Sequence, residues 1–156
     1  MSILYGRANI QVIQHIVDCD ADPFILNGWK VEQHIKGGKF IFDLASVFLY
    51  LSKKQQNGGY ILGDDLRKEL RRKPILNANV LDYLLAHPEI IPEEWKKNAS
   101  GNTRYIFFWG TIYRDSDGSL YVRSLYFSEG RWFWSCRRLD LRWHGSHPAV
   151  VVAPAS

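Results

Sequence analysis

A chain of 156 residues, 46% hydrophobic and 23% charged, has the size and balance of a folded globular domain and excludes a disordered polypeptide. No apolar run approaches the roughly 20 residues that cross a bilayer, and the opening Met-Ser-Ile-Leu-Tyr-Gly-Arg lacks a secretion-signal pattern, so a cytoplasmic protein without membrane contact is expected. The net charge of +4 permits contact with nucleic acid without requiring it.

In chain order, residues 10–18 are apolar and β-branched, and read as a strand or short helix running into Asp18-Cys19-Asp20-Ala21-Asp22-Pro23. Pro23 drives Asp22 towards extended geometry and ends regular structure there. Residues 29–35 and 39–42 flank Lys36-Gly37-Gly38, whose glycines suit a tight turn, so these two segments are expected to form a hairpin. Residues 47–51 are a short apolar run that fits a strand or part of a helix.

Two helices follow. Gly63-Asp64-Asp65 offers a cap with acids in the first turn, and Leu66 and Leu70 share one face. Arg67, Lys68, Arg71, Arg72 and Lys73 fill the remainder before Pro74 stops the helix. Asn77 caps the second, in which Val80/Leu84 and Leu81/Leu85 pair at i, i+4 until Pro88. Ile91-Pro92-Glu93-Glu94-Trp95 reads as one more helical turn.

The last part is β-like and aromatic; the whole chain is 14% Phe, Trp and Tyr. Residues 105–113 predict a strand, Asp115-Ser116-Asp117-Gly118 a turn, 120–127 a second strand, Ser128-Glu129-Gly130 a second turn and 132–138 a third strand: an antiparallel meander. The first strand is apolar on both faces, with Ile106, Phe108 and Ile112 on one and Tyr105, Phe107, Trp109 and Tyr113 on the other. It is therefore covered on both faces or presents a binding surface. The expected fold is one α+β domain over residues 1–156, an aromatic-rich antiparallel meander with both helices packed on one face.

Candidate chemistry is sparse. Asp18-x-Asp20-x-Asp22 alternates carboxylates as a Mg²⁺ or Ca²⁺ site does, but Pro23 stands where a calcium loop needs Gly and Trp29 where it needs Glu. A metal-dependent hydrolase or nuclease built on Asp18, Asp20 and Asp22 is one reading, and an acidic turn the plainer one. The hairpin suffices to explain Asp115-Ser116-Asp117-Gly118. His144 and His147 have no Cys or acidic companions for zinc and read as exposed loop residues. Cys136 beside Arg137 and Arg138 has an electropositive setting, although a mid-strand Cys is ordinarily buried. No nucleophile-elbow, Walker or dinucleotide motif is present, and no cofactor is implied.

Binding remains. The basic helix carries Arg67, Lys68, Arg71, Arg72 and Lys73, and the sheet interleaves Arg123 with Trp132 and Trp134. Cations beside exposed rings grip single-stranded nucleic acid, so a non-enzymatic binding or regulatory protein that contacts nucleic acid is the leading expectation. The rival is that the rings are core and the Arg stems line its edge. A protein–protein module using exposed Trp and Tyr is a third reading.

The run 74–85, then Ile91-Pro92-Glu93-Glu94-Trp95-Lys96, then 108–118 together resemble a family of small bacterial hypothetical proteins. Asp18-Cys19-Asp20-Ala21-Asp22-Pro23-Phe24 and Leu66-Arg67-Lys68-Glu69-Leu70 resemble the same set. The resemblance spans nearly the whole chain. It implies a bacterial, cytoplasmic protein and brings no activity, cofactor or catalytic residue.

Overall fold

A computed structural model describes residues 13–154. Its strands are β1 (His15–Asp18), β2 (Lys30–His34), β3 (Lys39–Phe42), β4 (Val47–Tyr50), β5 (Ile61–Leu62), β6 (Ile106–Phe107), β7 (Thr111–Arg114), β8 (Leu120–Ser128), β9 (Arg131–Arg138), β10 (Arg142–Trp143) and β11 (Ala149–Val152). Helices α1 (Gly63–Leu70) and α2 (Ala78–Ala86) lie between β5 and β6. The fold is α+β, and no described helix is long and apolar enough to cross a membrane. The part of the first predicted segment that covers residues 10–12 lies outside the described residues.

The meander is present. β8 pairs along its length with β9, and their two-residue turn works because Glu129 and Gly130 both take positive φ, which matches the twist of the flanking strands. On its other edge β8 pairs with both β6 and β7. β7 continues to β2, while β6 continues to β11 in parallel and then to β4, giving seven strands.

The predicted strand over 105–113 is broken at Phe108-Trp109-Gly110, and the break shifts its phase. Ile106 and Phe108 join one core cluster, whereas Phe107, Trp109 and Ile112 join the other. Ile112 therefore lies on the side opposite to that expected from strict alternation. The cause is the start of α2. Asn77 caps that helix by accepting from the Asn79 N–H, and Gly110 lies so close beneath it that a Cβ there would stand 2.7 Å from the Asn77 Cα. The Gly110 N–H donates to Leu76 O, and its carbonyl accepts from the Ile35 N–H.

Three other expectations are corrected. The segments around Lys36-Gly37-Gly38 do not pair: β2 joins β7, and β3 joins β1. The connection turns instead towards β1, where the Cys19 N–H donates to Gly38 O and the Gly38 N–H to Asp20 Oδ1. Gly63 is the first residue of α1 and not its cap, and no side chain caps that end. It is Gly because a Cβ would stand 2.2 Å from Leu139 O.

The helices also take opposite faces. Val80, Leu81 and Leu84 of α2 pack with Ile106 and Leu125, while Leu66 and Leu70 of α1 pack with Phe107 and Val122. Neighbouring residues of a strand point to opposite faces, so the central strands are covered on both, as their doubly apolar pattern anticipated. Gly110→Ala is expected to lower stability by about 2 kcal/mol or more in denaturant unfolding, because the clash is with the backbone that starts α2 and cannot be relieved by a rotamer change.

Candidate functional site: the outer face of the β8–β9 hairpin

Along β8 and β9, residues that face each other across the ladder lie on the same side of the sheet. Arg123, opposite Cys136, points towards α2, as do Leu125 and its partner Trp134. The Arg123 side chain is 1% exposed, and it donates from Nη1 and Nη2 to the two carboxylate oxygens of Asp82 on α2, at 2.9 and 2.8 Å. Its guanidinium carbon sits 4.2 Å from the Trp134 ring centroid and 5.1 Å from that of Phe24. Burial alone favours the neutral form of Arg123, but the hydrogen bonds and charge of Asp82 outweigh it and hold the guanidinium above its usual range. Nearby, the Tyr113 hydroxyl donates to Phe24 O.

This placement corrects the expectation for Arg123, which is a core ion pair and not a surface contact. Trp134 belongs to the same inner stack, and Trp132 packs partly against the core and edge-on to Phe127, so both are half-buried on the side that faces α2. The cations expected on the first helix divide, and α1 ends at Leu70, so Arg71, Arg72 and Lys73 lie at or beyond its C-terminus and not along it. Arg67 donates to Gln33 Oε1, and Lys73 lies over the Tyr50 ring, while Lys68, Arg71 and Arg72 are exposed and make no ion pair among the described residues.

The opposite side of the hairpin is different. There Ser124 faces Ser135, Tyr126 faces Phe133, and Ser128 faces Arg131. The Tyr126 and Phe133 rings stack at 5.7 Å with 25° between their planes, and Tyr105 stands 4.9 Å from Tyr126 on the other side. The Arg131 guanidinium lies 4.6 Å from the Phe133 centroid and closes the row. All three rings are half-buried. α1 covers this face only around Phe107 and Val122, so the row of rings reaches solvent beyond it.

At the inner end of the row is a cavity of about 230 Å³ bounded by Tyr105, Ser124, Ser135, Arg137 and His147. The Ser124 hydroxyl is buried and has no hydrogen-bond partner among the described residues. His147 comes from the 144–148 loop, which is clamped by Gln55: its side-chain amide donates to the carbonyls of both His144 and His147. The His144 N–H donates to His147 Nδ1, which therefore accepts and leaves the proton on Nε2. Burial, then the charge of Arg137 and His144, push the His147 pKa down to about 3. His147 is thus not the exposed loop residue expected from the sequence. The missed signal was Gln55, which lies far away in sequence. Arg137 donates from Nε and Nη2 to Arg142 O, and burial lowers its pKa.

The acidic run does not assemble a metal centre. Asp18 Oδ1 accepts from the Asp20 N–H and Asp20 Oδ1 from the Gly38 N–H, so these two carboxylates hold the turn. Among the described residues, no group of three His, Cys, Asp or Glu side chains is placed to hold a metal ion. Cys19 and Cys136 are free thiols, both with pKa values raised by burial, the direction opposite to that of an activated thiolate.

No protein-family model matches the chain, and no curated protein or solved structure matches it either. The functional reading therefore rests on the geometry.

Two expectations follow. Asp82 is 37% exposed and can be hydrated when unpaired, whereas Arg123 cannot. Asp82→Ala is therefore expected to cost about 3–5 kcal/mol in chemical unfolding, and Arg123→Met less. For His147 the folded pKa is depressed, so its contribution to stability is complete above the unfolded value near 6.5 and is lost as pH falls towards about 3. Relative to His147→Asn, the native protein is expected to lose about 1.4 kcal/mol per pH unit across that window. Parallel stability–pH curves for the two proteins would contradict a neutral buried His147.

Proposed function

We propose that the protein binds single-stranded nucleic acid on the outer face of the β8–β9 hairpin. The observation that carries this reading is the half-buried row Tyr105–Tyr126–Phe133 with Arg131 stacked at its end. Bases stack on such rings whatever their sequence, while the adjacent guanidinium neutralises phosphate. The mildly basic charge supports the same partner, as do the exposed Lys68 of α1, the helix on this side of the sheet, and Arg71 and Arg72 at its C-terminal end.

The test is a fluorescence titration with short single-stranded RNA and DNA at two salt concentrations. Affinity is expected to fall as salt rises, and Phe133→Ala or Tyr126→Ala to weaken binding about tenfold, from a loss of about 1–3 kcal/mol of stacking per base. Arg131→Gln should lower the salt dependence by roughly one ion. Failure of both nucleic acids to bind at low salt would end the proposal.

A contact with another protein is the second reading, carried by a different place. Ile16 and Ile41 are opposite each other on β1 and β3 and are 46% and 45% exposed, an apolar pair facing outward. It predicts self-association or partner capture that Ile41→Lys removes and that leaves oligonucleotide binding intact.

A further inference from the structure

Between α1 and β2 lies a cavity of about 290 Å³ that the hairpin reading does not use. Its polar wall consists of donors. Arg67 of α1 and Arg71, which caps the helix's C-terminus with helical backbone angles, are four residues apart and so lie on one side of it. Arg67 is oriented by its 2.9 Å bond to Gln33 Oε1, and the Gln33 amide N–H₂ is a further donor at the rim. Arg71 has no ion-pair partner among the described residues. The fourth donor is the indole of Trp109, only 1% exposed, whose N–H has no acceptor among the described residues.

A buried N–H without an acceptor costs about 1–3 kcal/mol, and Trp109 lines the same cavity as Arg67 and Arg71, so an acceptor brought into that cavity would relieve the cost. No carboxylate lines the cavity to compete for it. The rest of the wall, Ile35, Leu70, Ile75 and Ile112, is apolar. A charged acceptor on an apolar body fits both halves.

We propose that this cavity binds a small organic anion, with its carboxylate or phosphate held by Arg67, Arg71 and the Trp109 N–H and its apolar part against Leu70 and Ile112. The site shares Arg71 with the basic surface invoked for nucleic acid and nothing with the ring row of the hairpin, so small anions titrated without oligonucleotide test it separately. Trp109 gives it a direct reporter, because each of the six Trp indoles has its own N–H resonance in a ¹⁵N-labelled protein.

The experiment titrates the full chain with phenyl phosphate, benzoate and the neutral analogue benzyl alcohol, and follows the indole resonances. Both anions are expected to shift the Trp109 resonance saturably, and benzyl alcohol to leave it unmoved. Arg71 is exposed, so Arg71→Gln preserves the fold, and it should weaken the anions roughly tenfold through loss of a charge-assisted bond. Trp109→Phe assigns the resonance, and backbone-based assignment replaces it if that variant does not fold. Three results would each overturn the proposal: no shift with either anion, an equal response to benzyl alcohol, or affinity unchanged in Arg71→Gln. A Trp109 shift produced only by an oligonucleotide would overturn it too, and would make the cavity a seat for backbone phosphate.

Discussion

The buried pair between Arg123 and Asp82 governs how the aromatic half of this protein is used. A guanidinium removed from water needs a partner for its charge, and the only arrangement that supplies one here turns Arg123 towards α2, between the rings of Trp134 and Phe24. Side chains alternate along a strand, so this one choice sends Leu125 and Trp134 inward and Ser124, Tyr126, Ser135 and Phe133 outward. A register slip of one residue would turn Arg123 away from Asp82 and leave the guanidinium without its partner. The pair thus acts as a phase lock for the hairpin.

What the lock leaves outside is a surface of mixed character: rings in van der Waals sequence, an Arg across the last of them, and a polar hollow where Ser124 and the neutral His147 meet. The hollow exists because the 144–148 loop is held by two bonds from Gln55 and by the internal contact from the His144 N–H to His147 Nδ1. A neutral imidazole there presents one donor at Nε2 and adds no charge, so the positive character of the face comes from arginine alone. That separation, stacking from the rings and charge from the guanidinium groups, suits a ligand whose bases and phosphates alternate.

Much of the fold was legible, and the reasons are local. The β8–β9 turn follows from Glu129-Gly130, the α2 start from Asn77, and the α2 end from Pro88, because each depends on residues within a few positions of one another. What failed depends on distant contacts. The glycines after Lys36 suit a hairpin, but β2 finds β7 and β3 finds β1. The break at Phe108-Trp109-Gly110 is imposed by Asn77 above it, and a strand pattern carries no trace of that. The candidate site was half legible: Arg beside aromatic residues marked the hairpin on which the proposed site lies, but not which face Arg123 takes, since both alternating sets contain rings.

The decisive measurement is hydroxyl-radical footprinting of the full chain, read by mass spectrometry with and without a short single-stranded oligonucleotide. A phase fixed by Arg123 and Asp82, with the ligand on the outer face, predicts that Tyr126 and Phe133 are labelled in the free protein and protected by the oligonucleotide, while Trp109 and Arg123 stay unlabelled throughout. Protection at Trp134 and Phe127, with Tyr126 and Phe133 unchanged, would contradict it and place the ligand on the side that faces α2.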